Sequence, residues 1–194
     1  SVFICASAIG YYGSRDQMLL SEEAEPGTGF LADVTKAWEQ AAKPADQAGI
    51  RTVNLRTGIV LSRQGGALKK MLLPFLLGAG GIIGSGEQYM SWIELDDQIR
   101  AILHLLDNTQ ISGPVNLVSP NPVTNREFTK TLGMVLKRPA FFAVPEFAVR
   151  LAFGEMGEET ILSSAHVSSK KLQESGFSFD HPGLEDALRH ALAA

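Results

Sequence analysis

Val2-Phe3-Ile4-Cys5-Ala6 runs straight into Ser7-Ala8-Ile9-Gly10-Tyr11-Tyr12-Gly13, and the reading of this stretch decides the fold class. A continuous apolar run ending in a turn of small residues is typical of a strand buried on both faces, as in parallel sheets. Such a strand needs neighbours, yet it stands at the first residues of the chain. The sequence therefore reads as one that starts in the middle of a fold.

Working outward, a polar loop from Ser14 to Thr28 precedes Phe30, Leu31, Val34, Trp38 and Ala41, whose spacing predicts a helix over 29–43. Thr28 or Gly29 is placed to cap it, and Asp33 lies in or near its first turn. Pro44 should kink or end it, because proline lacks the N–H and crowds the preceding turn. Gly49 then leads into the alternating strand Arg51-Thr52-Val53-Asn54-Leu55-Arg56. A helix and a strand joined by a short turn form the αβ half of a βαβ unit. A helix over 65–77, interrupted by Pro74, and a glycine-rich loop from Gly78 to Gly86 follow. The loop lacks G-x-x-x-x-G-K-[ST], so it reads as turns rather than as a phosphate cradle.

Met90-Ser91-Trp92-Ile93 reads as one short strand before a helix over about 94–108. Leu95, Ile99, Ile102, Leu103 and Leu106 are its expected buried stripe, with Asp96, Asp97 and Arg100 elsewhere on the surface. Pro114-Val115-Asn116-Leu117-Val118 is the next buried strand, and Thr124-Asn125-Arg126-Glu127 is a capping box opening a helix to about Lys137. The segments then shorten. They are Pro139 to Val144, a helix from Pro145 to about Phe153, an acidic patch from Glu155 to Glu159, a short helix from Ser168 and an amphipathic one from Leu184 to Leu192. Strands alternate with helices as far as residue 118 and the remainder is mostly helical, which makes an α/β protein with an appended C-terminal region.

Composition narrows the function classes. The chain has 194 residues, enough for one domain or little more and for an ordinary core. Its 17 Lys+Arg against 21 Asp+Glu give a formal charge of −4, with no basic footprint for nucleic acid. No apolar stretch is long enough for a membrane span, and the first residues lack the basic start of a signal peptide. A cytoplasmic location is the expectation. Cys5 has no cysteine to pair with, and no Cys/His cluster has metal-site spacing, so no metal is expected. His104, His166, His181 and His190 read as structural or solvated, and no G-x-S-x-G elbow is present.

Taken together, the motifs resemble the extended short-chain dehydrogenases/reductases, whose fourth-strand signature is similar to the Ser7–Gly13 turn. More narrowly, the chain resembles the atypical branch called epimerase-family or nucleoside-diphosphate-sugar-epimerase-like proteins, also labelled SulA-like. LADVTKAWE (31–39), RTVNLRTGIVL (51–61), SWIELDDQIRA (91–101), GPVNLVSPNPVTNREF (113–128) and SKKLQESGFSF (169–179) carry the likeness over nearly the whole chain. The resemblance implies the C-terminal part of a Rossmann-type doubly wound parallel sheet that binds NADP(H) or NAD(H). It implies a core over 1–118, with a substrate-loop segment at 65–93, and a small, mostly helical substrate-side lobe over 119–194. The glycine-rich fingerprint of the N-terminal βαβ units does not occur, so the chain resembles the C-terminal two-thirds of a member. A truncated gene, a cleaved product and a fragment all fit that reading.

Active relatives use a Ser/Thr, a Tyr and a Lys four residues later, the tyrosine exchanging a proton with the substrate and the lysine lowering its pKa. Aligning on Trp38-Glu39 puts Leu31 and Thr35 at the Tyr and Lys positions, and sliding by one gives Phe30 and Val34. Neither register supplies the pair, and Lys36 lies about 100° of helix away from the required face. The resemblance places Ser7 at the hydroxyl position near the nicotinamide, or just before it with Ala8 in that slot; of the nearby phenols Tyr11 and Tyr12, Tyr12 is taken with Ser7 as the catalytic candidate. The resemblance assigns cofactor contacts to Ser7, Ala8, Lys36, Arg56, Thr57 and Gly58. Substrate contacts fall to Gln88, Ser91 and Trp92, although core packing also explains Trp92. Asp96 and Asp97 read as charges favouring a helix dipole.

The leading expectation is an NAD(P)-dependent oxidoreductase or epimerase-like protein acting on an unknown small molecule. The missing Tyr and Lys favour its rival, a dinucleotide-binding sensor or scaffold without turnover. A third expectation is a remnant that self-associates through an uncovered sheet edge.

Overall fold

Residues 1–147, 149 and 158–193 are described by the structure, a computed structural model. Its sheet is centred on β3 (Arg51–Thr57), which pairs in parallel with β1 (Val2–Ala8) on one side and β8 (Gly113–Leu117) on the other. The alternation of β3 directs Val53 and Leu55 to one face and Asn54 and Arg56 to the other. Val53 and Leu55 join Val115 and Leu117 of β8 under Ala101 and Leu105 of α3 (Leu95–Asp107). The opposite face is covered by α1 (Phe30–Gln47), which packs on β1 and β3. Helices on both faces of a parallel sheet make this a doubly wound α/β fold. The edge of β1 away from β3 has no strand partner among the described residues.

Gly58 is the pivot at which the chain leaves this sheet. Its N–H bonds to the Leu117 carbonyl at 3.1 Å, and the next N–H, of Ile59, bonds to the Ser91 carbonyl at 2.9 Å. β4 (Ile59–Leu61) thereby changes partner and pairs in parallel with β7 (Trp92–Glu94). A Cβ on Gly58 would lie 2.6 Å from the Ser91 oxygen and 2.8 Å from Val118 Cγ1, so no larger residue fits the crossing.

A second core joins α2 (Gly66–Leu76), α4 (Asn125–Leu136) and α6 (Leu184–Ala193) through Leu68, Phe75, Trp92, Phe128, Leu132 and Leu188. The capping box is formed as expected: Thr124 accepts from the Glu127 N–H at 3.2 Å, and Glu127 accepts from the Thr124 N–H at 2.8 Å. Short pairings complete the lobe: β2 (Leu19–Leu20) with β11 (His166–Val167), and β5 (Gly81–Ile83) with β10 (Phe142–Val144). β6 (Tyr89–Met90) pairs antiparallel with β9 (Val123–Thr124), and α5 (Lys170–Glu174) lies against β8.

Three expectations are corrected. α1 and α2 run through Pro44 and Pro74, because a proline removes one N–H and the later bonds survive, as in Ala48 N–H to Pro44 O at 3.1 Å. The single strand expected over 90–93 is two, with Ser91 between them, since β6 and β7 pair with different neighbours. The stripe of α3 is misphased: Ile99, Leu103 and Leu106 are 48%, 54% and 41% exposed, while Asp97 is fully buried with Ala101 and Leu105. Asp97 is buried because its carboxylate holds the turn at Asp180 and His181.

The helix expected from Pro145 to Phe153 and the acidic patch over 155–159 lie mostly outside the described residues. Among the described residues no helix is long and apolar enough to cross a membrane.

Candidate functional site

The carboxyl ends of β1 and β3 open into a cleft of about 480 Å³. Ligands of open α/β sheets bind at this edge of the strands. The strand ends contribute Ala8, Gly10, Thr57 and Gly58 to its wall. One face of α1 contributes Leu31, Val34, Thr35 and Trp38, a helical repeat turned toward the cavity. Tyr89, Met90 and Ser91 form a further side, closed by Leu162, Ser163 and Ala165. Gly10 permits the 3₁₀ turn over Ile9–Tyr12 to lie on α1, since a Cβ there would approach Leu31 Cβ to 3.1 Å.

Leu31 and Thr35, from the register aligned on Trp38-Glu39, both line the cleft; of the register shifted by one, Val34 lines it and Phe30 does not. Leu31 offers no proton. The Thr35 hydroxyl is spent on its own helix, donating to the Leu31 carbonyl at 2.8 Å and lying 3.1 Å from that of Ala32. Lys36 is paired with Asp33 at 2.6 Å and lies off the cleft.

Ser7 and Arg56, also expected at the cofactor, do not line the cleft and belong to a polar floor behind its wall. Ser7, Arg56 and Asn116 are register partners across β1, β3 and β8 and therefore share one face of the sheet. Ser7 Oγ donates to Glu39 Oε1 at 2.8 Å, and Arg56 grips the same carboxylate with Nε at 2.8 Å and Nη2 at 2.9 Å. Arg56 Nη1 also donates to the Tyr12 hydroxyl at 3.0 Å and to the Glu22 carbonyl at 3.1 Å. Tyr12 donates in turn to Asn116 Oδ1 at 2.6 Å, and Glu22 Oε1 accepts the Asn116 N–H at 2.9 Å. The guanidinium carbon sits 3.5 Å from the centre of the Tyr11 ring, a cation–π contact.

This network corrects three assignments. The Ser7 hydroxyl is turned away from the cleft, and the neighbouring Ala8 lines it instead. Arg56 is 3% exposed and held from all sides, so its side chain does not reach a ligand at the strand ends. Burial pulls its pKa down, but the bonds with Glu39 and Tyr12 outweigh that and raise it, keeping the guanidinium charged. Tyr12 is fully buried, and burial pushes its phenol up to about 12 against the opposing pull of Arg56. The phenol is committed to Arg56 and Asn116 and does not line the cleft.

Of the substrate-side candidates, Ser91 lines the cleft, but its hydroxyl donates to the Ala165 carbonyl at 2.7 Å and accepts the Val167 N–H at 2.9 Å. It anchors the segment that closes the cavity. Gln88 holds the glycine-rich loop through the Ile83 carbonyl at 3.1 Å, and Trp92 is core, its Nε1 donating to the Asn121 carbonyl at 3.1 Å. Sequence reasoning missed Tyr89, a phenol on the wall whose ring stacks on His166 at 4.1 Å and 7°. Its signal was available, since it lies between Gln88 and Ser91.

Comparison with known proteins fits this geometry. Residues 144–191 match the family described as "Domain of unknown function (DUF1731)". Epimerase family protein Mb2239 of Mycobacterium bovis is 44% identical over 191 residues, which are 98% of this chain and 64% of that protein. The human epimerase family protein SDR39U1, solved with NADPH, superposes with a TM-score of 0.92 at 33% identity, covering 99% of this chain and 65% of that one. A nucleoside-diphosphate sugar epimerase of Corynebacterium glutamicum gives a TM-score of 0.78 at 36% identity, over 97% of this chain and 37% of that one. By sequence and fold the chain belongs with the epimerase family proteins of the short-chain dehydrogenase/reductase fold, and it spans 64% of the length of the mycobacterial relative.

Proposed function

We propose that this chain forms the nicotinamide and substrate side of an NAD(P)(H)-dependent redox site for a small molecule. The cleft at the carboxyl ends of β1 and β3 is the observation that carries the reading. The NADPH in the human relative's structure supports it. The lining suits a nicotinamide ring, with Ala8, Leu31 and Trp38 apolar and no charged side chain contributed by the lining residues of β1, β3 or α1. When bound, such a cofactor supplies or accepts hydride. Leu31 and Trp38 exclude water from the reacting atoms, which strengthens the electrostatic interactions left inside. With leucine at the usual tyrosine position, we assign the proton transfer on the substrate oxygen to Tyr89, the phenol on the wall.

The second reading rests on Leu31 and Thr35 themselves. A site without the Tyr/Lys pair also suits a nicotinamide-binding sensor or scaffold that turns nothing over.

Titration with NADPH and, separately, with reduced nicotinamide mononucleotide tests the proposal, because the mononucleotide needs only the half-site this cleft supplies. Trp38 lines the cleft and Trp92 is buried in the core, so quenching should come from Trp38 and vanish in Trp38→Phe. Unchanged Trp38 emission at millimolar concentrations of both would overturn the reading. Turnover of a carbonyl substrate that is lost in Tyr89→Phe, with binding kept, separates the enzyme from the sensor.

A further inference from the structure

Glu94, His181 and His190 come from the end of β7, the turn before α6 and α6 itself, and one donor atom of each lies within 4.8 Å of the others. None of the three lines the cleft. The surroundings hold each in place. Glu94 is 2% exposed and caps α3, its Oε2 accepting the N–H groups of Asp96 at 2.6 Å and Asp97 at 3.3 Å. No hydrogen bond to its Oε1 is found among the described residues. The buried Asp97 carboxylate pins the turn carrying His181, accepting the N–H of Asp180 at 2.8 Å and of His181 at 2.9 Å. Ser119 Oγ and Asn121 Nδ2 hold the next carbonyl, that of Pro182, at 2.9 and 3.0 Å.

Each imidazole has its own carboxylate. His181 Nδ1 meets Asp186 Oδ2 at 2.6 Å and His190 Nε2 meets Asp96 Oδ2 at 2.9 Å, while the two rings stack at 4.1 Å. A carboxylate that takes one ring N–H fixes the tautomer and leaves the opposite nitrogen as a lone-pair donor, the arrangement found behind metal-bound histidines. Here that leaves His181 Nε2 and His190 Nδ1. Three carboxylates, Glu94, Asp96 and Asp186, around the two imidazoles also concentrate acidic groups at one point of the surface.

We propose that Glu94, His181 and His190 bind a divalent transition cation, with zinc the type case. Two imidazoles and a carboxylate suit zinc, nickel or copper rather than magnesium or calcium, which favour all-oxygen shells. A tetrahedral zinc takes its ligands at about 2.0–2.2 Å, and the three donor atoms, already within 4.8 Å of one another, are gathered around one point. The ion sits outside the redox cleft and has a structural role: it ties α6 to the first turn of α3.

The test is a zinc titration of the untagged, chelator-treated protein by calorimetry, with cobalt(II) absorption as the spectroscopic readout. One equivalent should bind, and a hundredfold excess over Kd should raise Tm by roughly 5–10 °C. His181→Gln and His190→Gln should each weaken binding by about tenfold or more, and His104→Gln, in the last turn of α3 and so at the opposite end from Glu94, should not. Glu94→Gln keeps an oxygen for the helix cap, so it preserves the fold while removing the anionic ligand. Absence of a single-equivalent site, or binding that survives both histidine variants, overturns the proposal.

Discussion

Arg56→Ala is expected to destabilise the protein by about 3–5 kcal/mol, the cost of removing one partner from a buried ion pair. The magnitude follows from what is left behind. Arg56 donates to Glu39 Oε1 at 2.8 Å, Glu39 Oε2 at 2.9 Å, the Tyr12 hydroxyl at 3.0 Å and the Glu22 carbonyl at 3.1 Å. The Glu39 side chain is only 12% exposed, so truncation strands a largely desolvated carboxylate together with a phenol and a carbonyl. The pair itself contributes little net stability, because desolvation of both ions offsets most of their attraction. The double variant Arg56→Met/Glu39→Leu should therefore recover most of the loss. Urea unfolding reads the effect. With a slope of about 2 kcal/mol per molar, the single variant should lower the midpoint by roughly 1.5–2.5 M. The refuting result is specific: a loss below ~1 kcal/mol combined with a collapse of NADPH affinity would make Arg56 a ligand of the cleft and not its floor.

Burial raises the Glu22 carboxyl above its ordinary value of 4.5, so the folded state binds more protons than the unfolded chain just above that value. The associated stability is whole below the ordinary value and is lost as pH rises through the raised one; Glu22→Gln, which keeps an acceptor for the Asn116 N–H, should flatten that slope in urea melts across mildly acidic pH. Gly58→Ala should cost about 1–3 kcal/mol in the same assay by forcing β4 off β7, as expected of overpacking, and a neutral effect would contradict the crowding at the Ser91 carbonyl. The edge of β1 that has no strand partner among the described residues, with Phe3 exposed, should pair with a second copy of the chain; sedimentation should show concentration-dependent association that Phe3→Lys reduces, and a monomer at every concentration would count against edge pairing.

β1, β3 and β8 lie where the apolar and alternating runs of the sequence predicted them, but β1 is not the strand buried on both faces that its run implied, since none of Val2–Ala6 is buried and Phe3 is 42% exposed. Helix faces were not legible. On α3, Ile99, Leu103 and Leu106 outweigh Asp97, Ala101 and Leu105 on any apolar count, yet the second set is buried and the first exposed, while Ile102 packs against the core as expected. The deciding term is one carboxylate with two N–H partners more than 80 residues away along the chain, and no count of side-chain hydrophobicity contains it. The split of residues 89–94 into β6 and β7 has the same character, since the choice of partner strand is made by residues 59–61 and 123–124.

The site divides along the same line. That Leu31 and Thr35 share a face was readable because both lie on one helix, where a spacing of four fixes it locally; the same spacing serves Phe30 and Val34, and the sequence left both registers open. Ser7, Arg56 and Asn116 belong to three strands, and their common fate depends on register, which spacing along the chain does not encode. Once Ser7 is opposite Arg56 and Arg56 opposite Asn116, all three share one face of the sheet, Ser7 and Arg56 meeting Glu39 of α1 and Asn116 meeting Tyr12. The residues beside them, Ala8 and Thr57, must then be the ones that edge the cleft. A single register, not a longer motif, is what separates a hydroxyl at the cofactor from a hydroxyl in the floor.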